Sequence, residues 1–125
     1  MEVKIDTREK FHAITILESR FAANMTAELD QCLVSIPQNG VKNVILNLKD
    51  IQIIDNAAAE YLVKTQQRFY EANASFVICE LGPALEQTLD AGGLLELLNT
   101  TPTEGEASDI VQMEEIEREL LDDGI

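Results

Sequence analysis

The chain has 125 residues, of which 46% are hydrophobic and 26% charged, the size and composition of one soluble globular domain. Asp plus Glu number 23 against nine Lys plus Arg, a formal net charge of -14. Nucleic acids and anionic membranes are therefore excluded as direct partners, because binding a polyanion depends on clustered Lys and Arg displacing its counterions, and no basic run occurs.

The N-terminus, with Glu2 and Asp6, lacks the apolar core of a signal peptide. No apolar stretch approaches the roughly 20 residues that span a bilayer, so the expected location is the cytoplasm. Glu2 to Asp6 alternates as a strand, with Val3 and Ile5 on one side. After a polar turn over Thr7 to Lys10, His12 to Glu18 continues the pattern. Asn24 is placed to cap a helix in which Met25, Leu29, Cys32 and Ile36 form one apolar stripe. Pro37 and the Asn39-Gly40 pair are its stop signal.

Asn43 to Ile54 is rich in Val, Ile and Leu on both parities, as expected of a central strand covered on both faces. Asp55 and Asn56 interrupt it. Ala57 to Glu71 then switches to helical period, with Ala58, Leu62, Thr65, Phe69 and Ala72 on one face, and Asn73 is a left-handed stop. Ser75 to Leu81 reads as another buried strand. Gly82-Pro83 starts a short helix with proline at an early position, and Gly92-Gly93 closes it. Leu94 to Leu98 suits a last edge strand or part of the next turn. Beyond the polar segment Thr100 to Glu106, Ile110, Met113, Ile116 and Leu120 line one side of a C-terminal helix. This order predicts an α/β domain, a mixed sheet of four to five strands packed against about four helices. Residues 1–121 form the domain, and 122–125 an acidic tail.

Little here suggests catalysis. Cys32 and Cys79 match no CxxC spacing and sit in apolar runs, as buried free thiols do. His12 is the sole histidine, so a triad, a Cys/His pair or a His-rich metal site would have to be built on it alone. No GxxxxGK[ST] loop is present. The expectation is a protein without enzymatic activity, metal or cofactor.

The informative place is the turn Ile54-Asp55-Asn56-Ala57-Ala58-Ala59, where a buried strand gives way to a helix and outward N–H groups can hold an anion. Asn56, immediately before the helix, is a neutral cap, and Asp55 a second cap or a polar interface residue. A Ser at the position of Asn56 would cap equally well and also accept a phosphoryl group.

The run Leu46 to Ala59 resembles the central signature of STAS domains, the family of the bacterial anti-sigma factor antagonists. Its usual form is a hydrophobic strand followed by Asp-Ser-Ser-Gly-Leu at a helix start. Arg20 to Leu29, Phe76 to Leu85, Asp90-Ala91-Gly92-Gly93-Leu94 and the acidic helix after Thr103 resemble further segments of the family, so that the likeness runs over residues 2 to 121. The resemblance implies a regulatory module that binds a serine kinase of the anti-sigma type, or other STAS proteins in a stressosome-like scaffold. The implied partner surface comprises Asp55, Asn56, Ala57, Ala58, Tyr61 and Asn24, and a homodimer is left open.

The sequence departs from the pattern where the switch resides. Asp55 matches the Asp, Asn56 stands in place of the phosphorylated Ser, and Ala57, Ala58 and Ala59 replace Ser, Gly and Leu. Asn56 has no hydroxyl, so the usual phosphorylation cannot occur there, and its neutral amide matches the charge of the unmodified state. Thr26, Thr65, Ser75 and Thr88 are the alternative acceptors. Two other functions compete: a cytoplasmic STAS subunit of a lipid-transporting ABC complex, and a nucleotide-binding protein using the helix start at Asp55-Asn56.

Overall fold

A computed structural model describes residues 1–36 and 40–123 of the chain. The elements run β1 (Val3–Thr7), β2 (Phe11–Ile16), β3 (Arg20–Phe21), α1 (Thr26–Ser35), β4 (Asn43–Asn47), β5 (Ile53–Ile54), α2 (Asn56–Glu71), β6 (Phe76–Cys79), α3 (Pro83–Ala91), β7 (Thr100–Thr101) and α4 (Glu104–Asp123). Five strands form one sheet in the order β1-β2-β4-β6-β7, antiparallel only between β1 and β2. This is the expected α/β architecture with a mixed sheet and four helices.

The sheet is covered on both faces, which explains why β2, β4 and β6 carry apolar residues on both parities. Ile14, Ile16, Val44, Leu46, Phe76 and Ile78 cluster with Leu29 of α1, Leu62 of α2 and Leu85 and Leu89 of α3. On the other face Phe11, Ala13, Ile45, Val77 and Cys79 pack against Ala107 and Val111 of α4. Each large side chain buried in this way contributes about 1.5–3 kcal/mol. His12 is buried too. Its Nε2 donates to the Val41 carbonyl at 3.1 Å, and its Nδ1 is bonded with the Thr7 hydroxyl at 2.9 Å. One ring nitrogen thus holds the β1–β2 turn, and the other ties β2 to the segment before β4.

Three expectations are corrected. Asn43 to Ile54 is not one strand: the ladder stops at Asn47, whose Oδ1 accepts the Lys49 N–H, and a turn bonds Ile51 N–H to the Leu48 carbonyl. Leu48 and Ile51 remain buried in that turn, and Ile53–Ile54 instead pairs in parallel with Arg20–Phe21 as a separate two-stranded sheet. Of the two readings of Leu94 to Leu98 the turn holds and the edge strand does not: Leu95–Leu97 forms a 3-10 turn, and Thr100–Thr101, placed in the polar segment before α4, supplies the edge. The buried side of α4 is not the Ile110-Met113-Ile116-Leu120 line. Ala107 and Val111 enter the core, Ile110 is partly covered, and Met113, Ile116 and Leu120 are exposed.

Other local expectations hold. Asn73 has φ 60 and follows α2, and Gly82 precedes α3 with Pro83 in its first turn. Ile36 leaves α1 with ψ 128, the extended conformation imposed on a residue before proline. Of the stop signal, Pro37 and Asn39 lie outside the described residues, and Gly40 has φ 84. No helix among the described residues is long and apolar enough to cross a membrane.

Candidate functional site

The site is built around the junction of β5 and α2. Asp55, not Asn56, is the N-cap of α2: it has extended backbone (φ -87, ψ 166), and its Oδ1 accepts the Ala58 N–H at 2.8 Å. Its Oδ2 accepts the Ala23 N–H at 2.9 Å. One carboxylate thus caps two segments, the start of α2 and the 3-10 turn Ala23–Met25 that leads into α1. The two backbone N–H groups, Ala23 first and then Ala58, hold the Asp55 pKa below the usual carboxylate value, and the nearby Arg20 charge acts the same way.

Asn24 does not cap α1. The 3-10 turn follows Ala22 with no side-chain cap, and Asn24 sits exposed inside it. The physical reason is that the backbone is already helical there, with the Met25 and Thr26 N–H groups on the Ala22 and Ala23 carbonyls, and the turn's own tertiary cap is the Asp55 bond to the Ala23 N–H. That bond brings Asn24 beside the start of α2, so residues far apart in sequence share one surface.

Asn56 is the first residue of α2 and is exposed. Its Nδ2 donates to Glu60 Oε1 one turn on at 3.0 Å. Its Oδ1 is near Gly92 at the end of α3: a Cβ added to Gly92 would lie 3.7 Å from it. Ala57 is exposed beside Asn56, while Ala58 is fully buried and backs the turn from the core.

Tyr61 is half-buried. Its hydroxyl donates to Asp30 Oδ1 at 2.9 Å, and its ring meets Phe21 edge-on with centroids 6.4 Å apart. Burial, then the hydrogen bond and charge of Asp30, push its pKa up to about 12. Arg68 also reaches Asp30, at 2.7 Å, and is the main cause that holds the Asp30 carboxyl low. Tyr61 therefore braces α1 against α2.

Two neighbours escape a reading of the sequence. Ile53 immediately precedes the turn in β5 and is 67% exposed, although its apolar context reads as core. Gly92 reads only as a helix stop, and its contact with Asn56 is purely tertiary. Of the alternative hydroxyls, Thr65 and Ser75 are completely buried, Thr26 donates to the Ala23 carbonyl and Thr88 to the Ala84 carbonyl.

The arrangement is a projecting surface with a fixed negative charge at its base. Asp55 already occupies the positive end of α2, which disfavours a phosphate there. A concavity of about 420 Å³ lined by Asp30, Leu33, Val34, Lys42, Arg68 and Phe69 lies near the far end of α2, roughly 18 Å along the helix from Asn56. Among the described residues no group of His, Cys, Asp and Glu is arranged to hold a metal ion.

Comparison with known proteins matches residues 3–107 to the family model of the STAS domain. Several solved structures share the fold. An anti-sigma-factor antagonist (STAS) domain protein from Planctomyces limnophilus superposes with a TM-score of 0.72 at 16% identity, over 88% of this chain and 97% of that one. An anti-sigma factor antagonist from Mycobacterium paratuberculosis gives 0.71 at 15% identity, over 89% and 93%. A sulfate transporter family protein from Wolinella succinogenes gives 0.66 at 16% identity, over 84% and 85%.

Proposed function

The chain belongs to the STAS domain family, and from that premise we propose that it is a non-catalytic protein-interaction module in bacterial signalling, of the anti-sigma factor antagonist kind. Its partner is a regulatory serine kinase or anti-sigma factor, or other STAS proteins in a scaffold. The contact surface is the exposed turn of Asp55, Asn56 and Ala57, with Asn24 alongside, Ala58 supporting it from below and the edge of Tyr61 at its rim.

The observation that carries this reading is the exposed Asn56 amide at the first position of α2, clamped in place by the two bonds of Asp55. An uncharged side chain projects where a phosphoserine would otherwise add nearly two negative charges. A partner surface that tolerates the neutral state and rejects phosphate meets a permanently permissive residue. The neighbours described as anti-sigma factor antagonists support the choice of partner class. Against nucleotide binding stands the Asp55 carboxylate at the helix start, and nucleotide titration to millimolar concentration is expected to show no binding.

The test is affinity capture of the tagged chain, identification of the partner by mass spectrometry, and affinity measurement on Asn56 variants. Asn56→Asp is expected to weaken binding, and Asn56→Ser to become phosphorylated if the partner is a kinase. Unchanged affinity for Asn56→Asp would remove the turn from the interface. Recovery of the ATPase subunit of an ABC complex, in place of a kinase, would move the protein to the transporter branch.

A further inference from the structure

The inner side of α4 is fully accounted for. Ala107 and Val111 pack on the sheet, Glu114 accepts from the Tyr70 hydroxyl at 2.7 Å, and Glu115 accepts from Asn43 at 3.1 Å and pairs with Lys10 at 3.4 Å. Arg118 donates to Ser75 and Asn43 at 3.1 and 3.2 Å. At 100° per residue, the direction opposite Val111 is occupied by Met113, Ile116 and Leu120. These are 59%, 55% and 66% exposed. They form an apolar stripe about 10 Å long on the outward side of the helix, past the residues matched to the family model.

What lies beside the stripe specifies its occupant. Glu106, Asp109, Glu117 and Glu119 are all exposed along its borders and form no ion pair among the described residues. A groove of about 290 Å³ runs along the Ile116 side, lined by Glu9, Lys10, Gln112, Glu115, Ile116 and Glu119. From Glu104 to Asp123 the helix carries nine acids and a single base, Arg118. An apolar line flanked by negative charge is complementary to an amphipathic helix whose apolar face is bordered by Lys or Arg.

We propose that the outward face of α4 is a second protein-docking surface, for a basic amphipathic helical segment of a partner. It is separate from the Asp55-Asn56 turn and goes beyond the function proposed for that turn. A second copy of the chain fits less well, since two such helices would bring like charge together along their whole length. An anionic bilayer is repelled for the same reason, as membrane-surface helices carry Lys and Arg beside their apolar face.

The experiment uses the whole chain and a synthetic Leu/Lys helical peptide of about five turns, with a Leu/Glu peptide as control. Binding is read by fluorescence anisotropy and by the methyl resonances of Met1, Met25 and Met113. The Leu/Lys peptide is expected to bind and to shift the Met113 methyl while leaving those of Met1 and Met25 in place. The triple variant Met113→Gln, Ile116→Gln, Leu120→Gln should weaken binding about tenfold with an unchanged circular dichroism melt, because the three side chains touch no core. Asn56→Asp should leave peptide affinity unaltered, which separates a failure here from a failure at the turn.

Three results would overturn the proposal. One is equal binding of the Leu/Lys peptide by the wild type and the triple variant, which reduces the effect to bulk charge. Another is a concentration-dependent dimer in sedimentation that the triple variant abolishes. The third is co-sedimentation with phosphatidylcholine/phosphatidylglycerol vesicles that the triple variant abolishes. If the triple variant fails to fold, an unmoved Met113 methyl in the wild type at saturating peptide serves as the negative result.

Discussion

Asp55 bonds to Ala23 across 32 positions of sequence with one oxygen of its carboxylate, and to Ala58 within its own helix with the other. The consequence is geometric. The turn before α1 and the first turn of α2 are fixed to one another by a single side chain, and parallel pairing of Arg20–Phe21 with Ile53–Ile54 runs directly into it. The candidate partner surface therefore consists of two chain segments held in register, and Asn56 projects from a rigid base.

That arrangement makes Asp55→Asn a sharper test than it would be at an ordinary cap. Asn retains one acceptor oxygen, but its NH2 must then face a backbone N–H, so one of the two segments is released. Asp55→Asn is expected to lower the melting temperature at pH 7, and Asp55→Ala to lower it further. The folded-state pKa is depressed, so the stabilisation is present above the unfolded value of about 3.9 and is lost as pH falls through the folded value. Thermal melts should show the gap between wild type and Asp55→Ala closing below about pH 4.

Asn56→Asp should separate binding from stability. An acid at the first position of α2 is favoured by the helix dipole, but it replaces a donor to Glu60 with a like charge. The two effects oppose each other, and the expected stability change is within about 0.5 kcal/mol. Urea denaturation of this variant beside its partner affinity checks both halves. A large loss of stability would mean that reduced binding reports unfolding.

The strands were legible because β2, β4 and β6 are apolar on both parities, and the family signature falls on the junction of β5 and α2. The one-residue error in the cap has a physical origin. Asp55 and Asn56 both suit an N-cap, and only the tertiary N–H donor at Ala23, which Asp55 accepts, decides between them. The break after Asn47 was hidden because Leu48 and Ile51 stay buried within the turn, and a buried turn has the composition of a strand. On α4 the apolar stripe pointed outward because the inner face is made of small Ala107, Val111 and the hydrogen-bonded Glu114, Glu115 and Arg118, which periodicity counts as polar.

The paired glycines after α3 should respond differently to the same change. Gly93 has φ 73, which an L side chain adopts at a cost, so Gly93→Ala is expected to destabilise by about 1 kcal/mol. Gly92 has φ -82, and an added Cβ finds only ordinary contacts, the nearest at 3.7 Å. Gly92→Ala should be neutral or stabilise by up to about 1 kcal/mol through the unfolded chain. Urea denaturation of the two variants distinguishes them.

Arg118 is the only base on α4, and it fastens the helix to Ser75 and Asn43, both fully buried. The Asn43 oxygen also accepts the Ser75 N–H at 2.8 Å, so it keeps one partner when the guanidinium is removed. Arg118→Ala is expected to cost about 1.5–3 kcal/mol, the range for losing hydrogen bonds to a charged group. Amide hydrogen exchange should accelerate in the C-terminal half of α4 before it does in β4 or β6.

The cysteines should behave as two unrelated thiols. Cys79 is fully buried on the α4 side of the sheet, and burial, reinforced by the charges of Glu104 and Glu80, pushes its pKa up to about 12. Cys32 packs on the opposite side, is partly exposed, and is raised by burial alone. Separation by the sheet forbids a disulfide within the chain. Because the thiolate is the reacting species, iodoacetamide near pH 8 should modify Cys32 slowly and leave Cys79 intact in the folded protein. Adding urea should make both react at the rate of a free thiol, and peptide mass spectrometry reads the order directly. Prompt labelling of Cys79 without denaturant would mean that α4 lifts from the sheet, and that the contacts of Ala107 and Val111 do not hold it closed.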